Sequence, residues 1–523
     1  MNHFKIDTDN TNPISKSLVF VNSISMGVTK LLSITVFIWV QQFLLKRISS
    51  DEYAIYAIIS SFVFLLPFIT SALVGASSRY MVFEYTQKNY GKMNKVLSTS
   101  VLAHLAIGIL ILIISLPVLV YMDRILNIEP KLMFDAQIMF SLIVVTFVVN
   151  FIFTPFGLGL HITQKLVFKN IIDLSIEVFK ISLLFTLLFA VSTKALWLVV
   201  VNCIGLLLAL MIRIFYSKKL IPQINFSIGS FDKSFVGKIF SFGSWNSIIL
   251  LSRYLRNFSA LFLLNKFGTS GDVANFNIGR FVSRQTLQVW EPIRSSIGAP
   301  LIAMYSKKQF QRLNNTYLKG SRLALWLTSF IVFPFIIFSG EFVNLYAGES
   351  YMDAVFVIIA LMSIIPFQML NAMLPQISAA MNKQKELAIR MLLIQLINVA
   401  LMIYLLLVLK LSLIELAISI AVVNIIGELF VITFFAKHKL NVKFREILKY
   451  GFIPGVVPGI LSSFYWVFMQ YTMVPETYTD LILIVLTGYI FLVIFIYLFS
   501  LKEDKIKFKS VLNVLKDKLF VLK

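Results

Sequence analysis

The sequence predicts an all-α integral membrane protein of 14 transmembrane helices: two parallel-repeat six-helix bundles plus two extra helices, around a central cationic cleft. Three observations carry this. The chain is 58% hydrophobic and only 14% charged over 523 residues, with a mean hydropathy of +0.86. Apolar runs of about 20 residues recur along nearly its whole length, each enough to cross roughly 30 Å of hydrocarbon. The sequence also overlies itself on a shift of 220 residues.

Spans are expected near 18–45, 53–78, 96–121, 134–158, 171–191, 195–217, 239–264, 275–300, 320–340, 354–380, 391–409, 414–436, 448–471 and 480–501. The runs are continuous rather than alternating with period two, which selects helices over a barrel. Met1–Lys16 is polar and leads into a run too long for a signal peptide, so no cleavable signal is expected. The lone Cys203 rules out a disulfide framework, and His3, His104, His161 and His438 lack metal-ligand spacing. Neither a metal nor a cofactor is expected. The net charge of +22 is distributed between the hydrophobic runs, alternating from loop to loop, which argues against nucleic acid as a partner.

That alternation sets the topology. Arg79, Lys88, Lys92 and Lys95, then Lys307, Lys308 and Arg312, then Lys437, Lys439 and Lys443 fall on one side. Glu341, Glu349, Asp353, Glu476 and Asp480 fall on the other. Basic loops stay in the cytoplasm, so both termini are expected there. The domain reading is an N-terminal six-helix bundle (1–220), a cytoplasmic linker (221–238), a C-terminal six-helix bundle (239–440), spans thirteen and fourteen (441–501) and a basic amphipathic cytoplasmic tail (502–523). In the tail Phe508, Val511, Leu512, Leu515 and Leu519 repeat at helical spacing among lysines, the pattern of an interfacial helix. A solvated basic tail is the alternative.

The repeat rests on polar and proline matches, since apolar ones are cheap in this composition. Ser50 meets Ser270, Glu52 meets Asp272, Tyr85 meets Tyr305, Lys88 meets Lys308 and Asn94 meets Asn314. Further on, Pro155 meets Pro375, Gln164-Lys165 meets Gln384-Lys385 and Lys219-Leu220 meets Lys439-Leu440. Each repeat has an even number of spans, so both halves enter the membrane the same way. Two such bundles enclose a cleft, and rocking one against the other gives alternating access.

Seven cations lie deep in the apolar runs: Lys30, Lys180, Arg253, Arg256, Arg280, Arg284 and Arg294. Each costs about 2.5–3.5 kcal/mol at the bilayer centre on insertion scales. They therefore need a wet or paired interior, and an anion is the natural occupant. At about 100° per residue, Arg280, Arg284, Glu291 and Arg294 share one face of the eighth span, with Asn277 and Gln288 beside them. The stripe climbs about 21 Å from Arg280 to Arg294. Asn246, Arg253 and Asn257 form a second face on span seven, with Arg256 adjacent, and Ser23, Lys30 and Gln41 share a face of span one. Guanidinium suits this role because its planar fork grips phosphate oxygens in pairs and stays charged.

Structural pairing is the alternative. Glu291 lies one turn from Arg294, and Asp173, Glu177 and Lys180 share a face of span five that fits a salt-bridge cluster as well as substrate contacts. The acids within spans, Asp173, Glu177, Glu291 and Glu428, are fewer than the bases, so pairing cannot absorb every cation. Under the 220-residue shift Arg253 meets Ser33, Arg280 meets Ser60 and Arg284 meets Phe64. Unshared charges of this kind favour substrate binding in the C-terminal half. No G-x-x-x-x-G-K-[ST] loop is present, which points to a proton or sodium gradient rather than ATP. Candidates for ion coupling are Asp173, Glu177, Lys180, Glu291 and Glu428.

After the first span comes Leu44-Leu45-Lys46-Arg47-Ile48-Ser49-Ser50-Asp51-Glu52-Tyr53-Ala54-Ile55-Tyr56, and a basic loop from Arg79 to Lys95 follows the second. With the 6+6+2 pattern, these segments resemble the Wzx-type polysaccharide (lipid-linked oligosaccharide) flippases of the multidrug/oligosaccharidyl-lipid/polysaccharide exporter superfamily. The resemblance spans essentially the whole chain. It implies a secondary transporter in the bacterial inner membrane that moves an undecaprenyl-pyrophosphate-linked glycan from the cytoplasmic to the outer leaflet. The glycan would serve O-antigen, capsule or exopolysaccharide assembly. Its expected partners are that lipid-linked glycan, membrane lipids, a glycan polymerase and a chain-length regulator. Three other readings stand beside it: a lipid II flippase, a cation-coupled multidrug antiporter, and a membrane glycan polymerase or ligase. The antiporter wants an acidic or aromatic cavity. The polymerase or ligase wants a sizeable outer loop, which the chain lacks, so no enzyme is expected.

Overall fold

A computed structural model of the chain describes residues 40, 42–63, 66–163, 165–290, 301, 304–305, 307–410 and 412–506, and among them every regular element is helical. Most of the first expected span, with Lys30, lies outside the described residues, as do Glu291, Arg294 and the tail from 507. In chain order the longer helices are α1 (Ser50–Val63), α2 (Leu66–Thr86), α3 (Tyr90–Val120), α4 (Met133–Phe153), α5 (Leu166–Ala190), α6 (Leu196–Leu220), α7 (Lys233–Phe267) and α8 (Ser270–Gln288). They continue with α9 (Phe310–Ile337), α10 (Ala354–Leu370), α11 (Leu374–Ala380), α12 (Gln384–Leu407), α13 (Leu413–Ile426), α14 (Thr433–Leu440), α15 (Ile453–Thr472) and α16 (Tyr478–Phe499).

Among the described residues ten stretches of helix are long and apolar enough to cross a membrane, and they coincide with ten of the expected spans. Of the other four, 18–45 is largely undescribed and 53–78 is interrupted by the undescribed residues 64 and 65. The described parts of the remaining two form helices but are more charged. α5 holds Asp173, Glu177 and Lys180, and α8 holds Asp272, Arg280 and Arg284. The chain is thus a multi-pass helical membrane protein.

Contacts divide the chain into two compact units, one of residues 1–43, 73–116 and 141–242, the other of 44–72, 117–140 and 243–523. In the first unit α5 and α6 pack as a hairpin. A core of Met81, Met93, Val96, Leu97, Ile162 and Ile221 gathers the ends of α2, α3 and α6. Lys88 takes a left-handed backbone (φ 57) in the turn between α2 and α3. The N–H groups of Lys88 and Asn89 there donate to the carbonyls of Tyr85 and Glu84 at 2.9 Å each. In the second unit Lys308 (φ 56) builds the same turn, its N–H and that of Gln309 donating to Tyr305 and Met304. Asn94 Nδ2 donates to the Gln223 carbonyl at 2.8 Å, and Asn314 Nδ2 donates to that of Leu440 at 2.7 Å. Pro155 and Pro375 each sit in the first turn of a short helix, where the missing N–H costs nothing.

In the second unit α8 packs on α1 and α10, α10 on α9 and α13, and α9 on α15, which pairs with α16. The chain therefore places its last two long helices against α9. Trp466 is fully buried and lies across Gly488, where an added Cβ would meet the indole nitrogen at 1.9 Å. A Tyr489 hydroxyl donating to the Phe330 carbonyl at 2.7 Å fixes the same junction. Gly279 has a comparable role on α8: a Cβ there would meet Val357 Cγ1 at 2.5 Å, so α8 and α10 approach more closely than side chains permit.

A buried ion cluster closes the far end of this unit. Arg322 on α9 donates through Nε (2.9 Å) and Nη2 to Asp504, and through Nη1 to the Tyr450 carbonyl in a π-helical turn at Ile447–Phe452. Lys319 Nζ lies 3.3 Å from Asp504. Both Arg322 and Asp504 are 3% exposed, so removing one partner strands a charge. Asp504→Asn is expected to destabilise the protein by about 3–5 kcal/mol. Replacing the pair together, Arg322→Met with Asp504→Leu, is expected to cost less than the single change. Unfolding in detergent followed by tryptophan fluorescence measures both.

Candidate substrate-binding site

Four arginines of the apolar helices, one buried and three partly buried, lie together in the second unit. α7 supplies Arg253 and Arg256; α8 supplies Arg280 and Arg284. The start of α8 is fixed by a reciprocal cap, in which the Asp272 N–H donates to Thr269 Oγ1 and the Thr269 N–H donates to Asp272 Oδ2. Arg280 and Arg284 follow one turn apart.

Two adjoining cavities open against these side chains. The larger, about 130 Å³, is lined by Arg253, Arg256, Trp290, Asn371, Gln395 and Glu428 among others. The smaller, about 50 Å³, is lined by Arg256, Arg280, Ser283 and Arg284. Arg256, Leu287 and Gln368 form walls of both.

Neutral groups hold two of the guanidiniums. Arg280, 7% exposed, donates through Nη2 to Asn277 Oδ1 at 2.7 Å. The Asn277 amide donates in turn to the Tyr53 hydroxyl at 3.0 Å. Tyr53 and Tyr56 are close enough to act electrostatically on both Arg280 and Arg284. Arg256 Nη1 donates to Asn424 Oδ1 at 3.3 Å, an oxygen that also accepts from Gln395 Nε2 at 2.9 Å. Amide and phenol oxygens stabilise a cation without cancelling its charge.

Two interrupted helices build the rest of the wall. α10 stops at Leu370, and three residues, 371–373, separate it from α11. Opposite, the helix after α13 widens into a π-type turn at Gly427–Ile432. Asn371 bridges the two breaks: its Nδ2 donates to the carbonyl and to Oε2 of Glu428, both at 3.0 Å. Thr433 Oγ1 adds a bond to the same carbonyl at 2.8 Å. Glu428 is thereby held at the cavity, within electrostatic range of Arg253 and Arg256.

Of the residues singled out from sequence, Arg253, Arg256, Arg280, Arg284 and Glu428 line these cavities. Lys30, Glu291 and Arg294 lie outside the described residues, and so do the side chains of Asn246 and Asn257. Asp173, Glu177 and Lys180 belong to the first unit, where they are ion-paired. Asp173 accepts from Lys169 and Arg213, each at 2.6 Å. Lys180 contacts Glu177 at 2.8 Å and Asn202 at 3.1 Å, its stem crossing the bare backbone of Gly205. Sequence reasoning missed Tyr53, Asn371, Gln395 and Asn424 as members of the site. Amides isolated in apolar runs were the available signal.

No family model matches the chain. A curated relative, the uncharacterized membrane protein EpsK of Bacillus subtilis (strain 168), is 22% identical over 379 residues, covering 71% of this chain and 74% of the relative. An inward-facing multidrug resistance MATE family transporter of the MOP superfamily aligns with a TM-score of 0.67 at 13% identity, over 81% of this chain and 98% of its own. The lipid II flippase MurJ, in an inward closed conformation, aligns with a TM-score of 0.65 at 15% identity, over 92% and 98%. A MOP superfamily transporter from Pyrococcus furiosus, for which reversed polarity of the binding pocket suggests a different function, aligns at 0.62 and 13%, over 81% and 95%. The chain therefore has the fold of MOP-superfamily transporters and flippases. These similar structures are carriers, not enzymes.

The amide relay can be tested alone. Asn277→Leu leaves the buried Arg280 guanidinium without its acceptor and is expected to lower stability in detergent by about 1–3 kcal/mol. Tyr53→Phe is expected to cost less, because Asn277 keeps its bond to Arg280. Thermal unfolding of the purified variants measures both.

Proposed function

We propose that the protein is a flippase that carries an undecaprenyl-pyrophosphate-linked oligosaccharide from the cytoplasmic to the outer leaflet of the bacterial inner membrane, for O-antigen, capsule or exopolysaccharide assembly. The observation that carries this reading is the convergence of Arg253, Arg256, Arg280 and Arg284 on two adjoining cavities within a unit of apolar helices. A cation in that setting is stable when a counter-charge or a polar ligand accompanies it. A pyrophosphate supplies both charge and paired oxygens for the guanidinium fork. The same site disfavours a cationic drug, which would meet like charge.

Several features support the rest. The fold is shared with the lipid II flippase MurJ over 92% of this chain, so lipid II, also a pyrophosphate-linked glycan, is the second reading. The matching turns at Lys88 and Lys308 and the matching amide clamps of Asn94 and Asn314 support a parallel repeat of six-span bundles. On that reading the bundles comprise 1–220 and 239–440, with 14 spans in all and both termini cytoplasmic. Rocking of the bundles gives alternating access. A proton or sodium gradient drives the cycle, with Glu428 as the acid lining the cavity; a glycan polymerase and a chain-length regulator take up the product.

The test is lipid-linked glycan in a deletion strain, complemented by wild type or by Arg253→Ala, Arg280→Ala or Arg284→Ala at matched membrane abundance. Wild type is expected to restore surface polysaccharide. Each variant is expected to leave it reduced about tenfold or more, with glycan retained in the cytoplasmic leaflet. Unchanged glycan with raised sensitivity to cationic drugs would instead place the protein among multidrug carriers.

A further inference from the structure

The two cavities differ in chemistry as well as in size. Around the smaller, the polar groups are Arg256, Arg280, Ser283, Arg284 and Gln368, with no carboxylate among the described lining residues. Such a wall offers forked donors at fixed spacing, which is what phosphate oxygens need. The larger cavity contains Glu428, whose carboxylate repels a phosphate but is a strong acceptor for hydroxyl groups. Arg253 and Arg256 also line it and lie within electrostatic range of Glu428, so acid and base offset one another there, and Ser252, Asn371, Gln395 and Gln368 add side chains that both donate and accept. Mixed donors and acceptors beside an acid suit a neutral polyhydroxylated ligand.

Trp290 adds an independent observation. It is 3% exposed, lines the larger cavity, and its indole N–H has no hydrogen-bond partner among the described residues. A buried donor without a partner is costly and marks a place that something else completes. An indole offers a sugar two things at once, a flat apolar face for its C–H surface and a donor for one of its oxygens.

We infer that the site divides its ligand between the cavities: the smaller one receives a phosphate group, and the larger one receives the first sugar attached to it. Arg256, shared by both walls and steadied by Asn424, stands at the glycosyl-phosphate junction. Glu428, Gln395 and Trp290 are then sugar-recognising residues, and Arg280 and Arg284 phosphate-recognising ones. This rests on the flippase reading above and adds to it which part of the headgroup each residue meets.

The full-length protein in detergent would be titrated with farnesyl pyrophosphate and with farnesyl pyrophosphate bearing glucose, galactose or N-acetylglucosamine. At least one sugar is expected to tighten wild-type binding by about tenfold, the scale of a charge-assisted hydrogen bond. Glu428→Gln and Trp290→Phe are expected to remove most of that gain while leaving affinity for the sugar-free probe unchanged or improved. Arg284→Gln is expected to weaken every probe alike. If the Glu428 and Trp290 variants weaken the sugar-free probe as much as the glycosylated ones, the division is wrong. If wild type binds the pyrophosphates but no sugar adds affinity, the division also falls and the flippase reading stands. Should wild type bind none of the probes, both fall together.

Discussion

The structure depends on how a guanidinium is kept charged inside a bundle of apolar helices. A bare cation at mid-bilayer costs several kcal/mol, and the chain meets that cost in two ways. Away from the cavities carboxylates neutralise the bases: Asp173 lies between Lys169 and Arg213, Glu177 meets Lys180, and Asp504 meets Arg322 and Lys319. At the cavities Arg280 leans on Asn277 and through it on Tyr53, and Arg256 leans on Asn424 and through it on Gln395. Neutral oxygens lower the cost of burial but leave the field of the cation intact. Under the proposed function that field is what an anionic headgroup meets.

Backbone geometry follows the same logic. In a membrane, irregular backbone is tolerated where it is buried in protein or lines a polar cavity, because every N–H and C=O needs a partner. The gap at 371–373 and the π-type turn at 427–432 satisfy this with side chains. Ser321 donates to the Leu370 carbonyl at 2.6 Å, and Asn371 and Thr433 serve the Glu428 carbonyl. Asn371, Ala372, Leu374, Glu428 and Ile432 all line the larger cavity, so both interruptions fall at the site. The breaks bring an acid and several amides to a wall that continuous apolar helices would have left bare.

Hydropathy makes the spans legible, and periodicity makes one face of α8 legible, because both are properties of a single helix. Partners are not. Tyr53 and Asn277 lie 224 positions apart, and Arg322 and Asp504 lie 182 apart. Nothing in the pattern of one helix says which other helix it will face. Arg322 sits near the end of an apolar run, where a base reads as an interfacial anchor, and Asp504 reads as part of a polar tail. Their burial comes from the turn at Ile447–Phe452 and α16 packing on α9, with Tyr450 and Asp504 meeting Arg322. The Glu52-Tyr53-Ala54-Ile55-Tyr56 segment was legible as a signature, yet its function as a brace for Arg280 required the contact between α1 and α8.

Under the proposed 220-residue correspondence, what the halves share and what they do not share fall into separate classes. The turns at Lys88 and Lys308, the clamps of Asn94 and Asn314 and the helix starts at Pro155 and Pro375 are alike, and all of them fix backbone. The charged site is not alike: Arg280 and Arg284 correspond to Ser60 and Phe64, while Tyr53 and Tyr56 correspond to Val273 and Phe276. One half therefore contributes phenols where the other has apolar side chains, and receives guanidiniums where it has none. On that correspondence the asymmetry falls where a buried cation takes a neutral brace. A carboxylate would hold helices together better than an amide does. Under the proposed function the brace has a use, because it steadies the guanidinium without neutralising it before an anion binds.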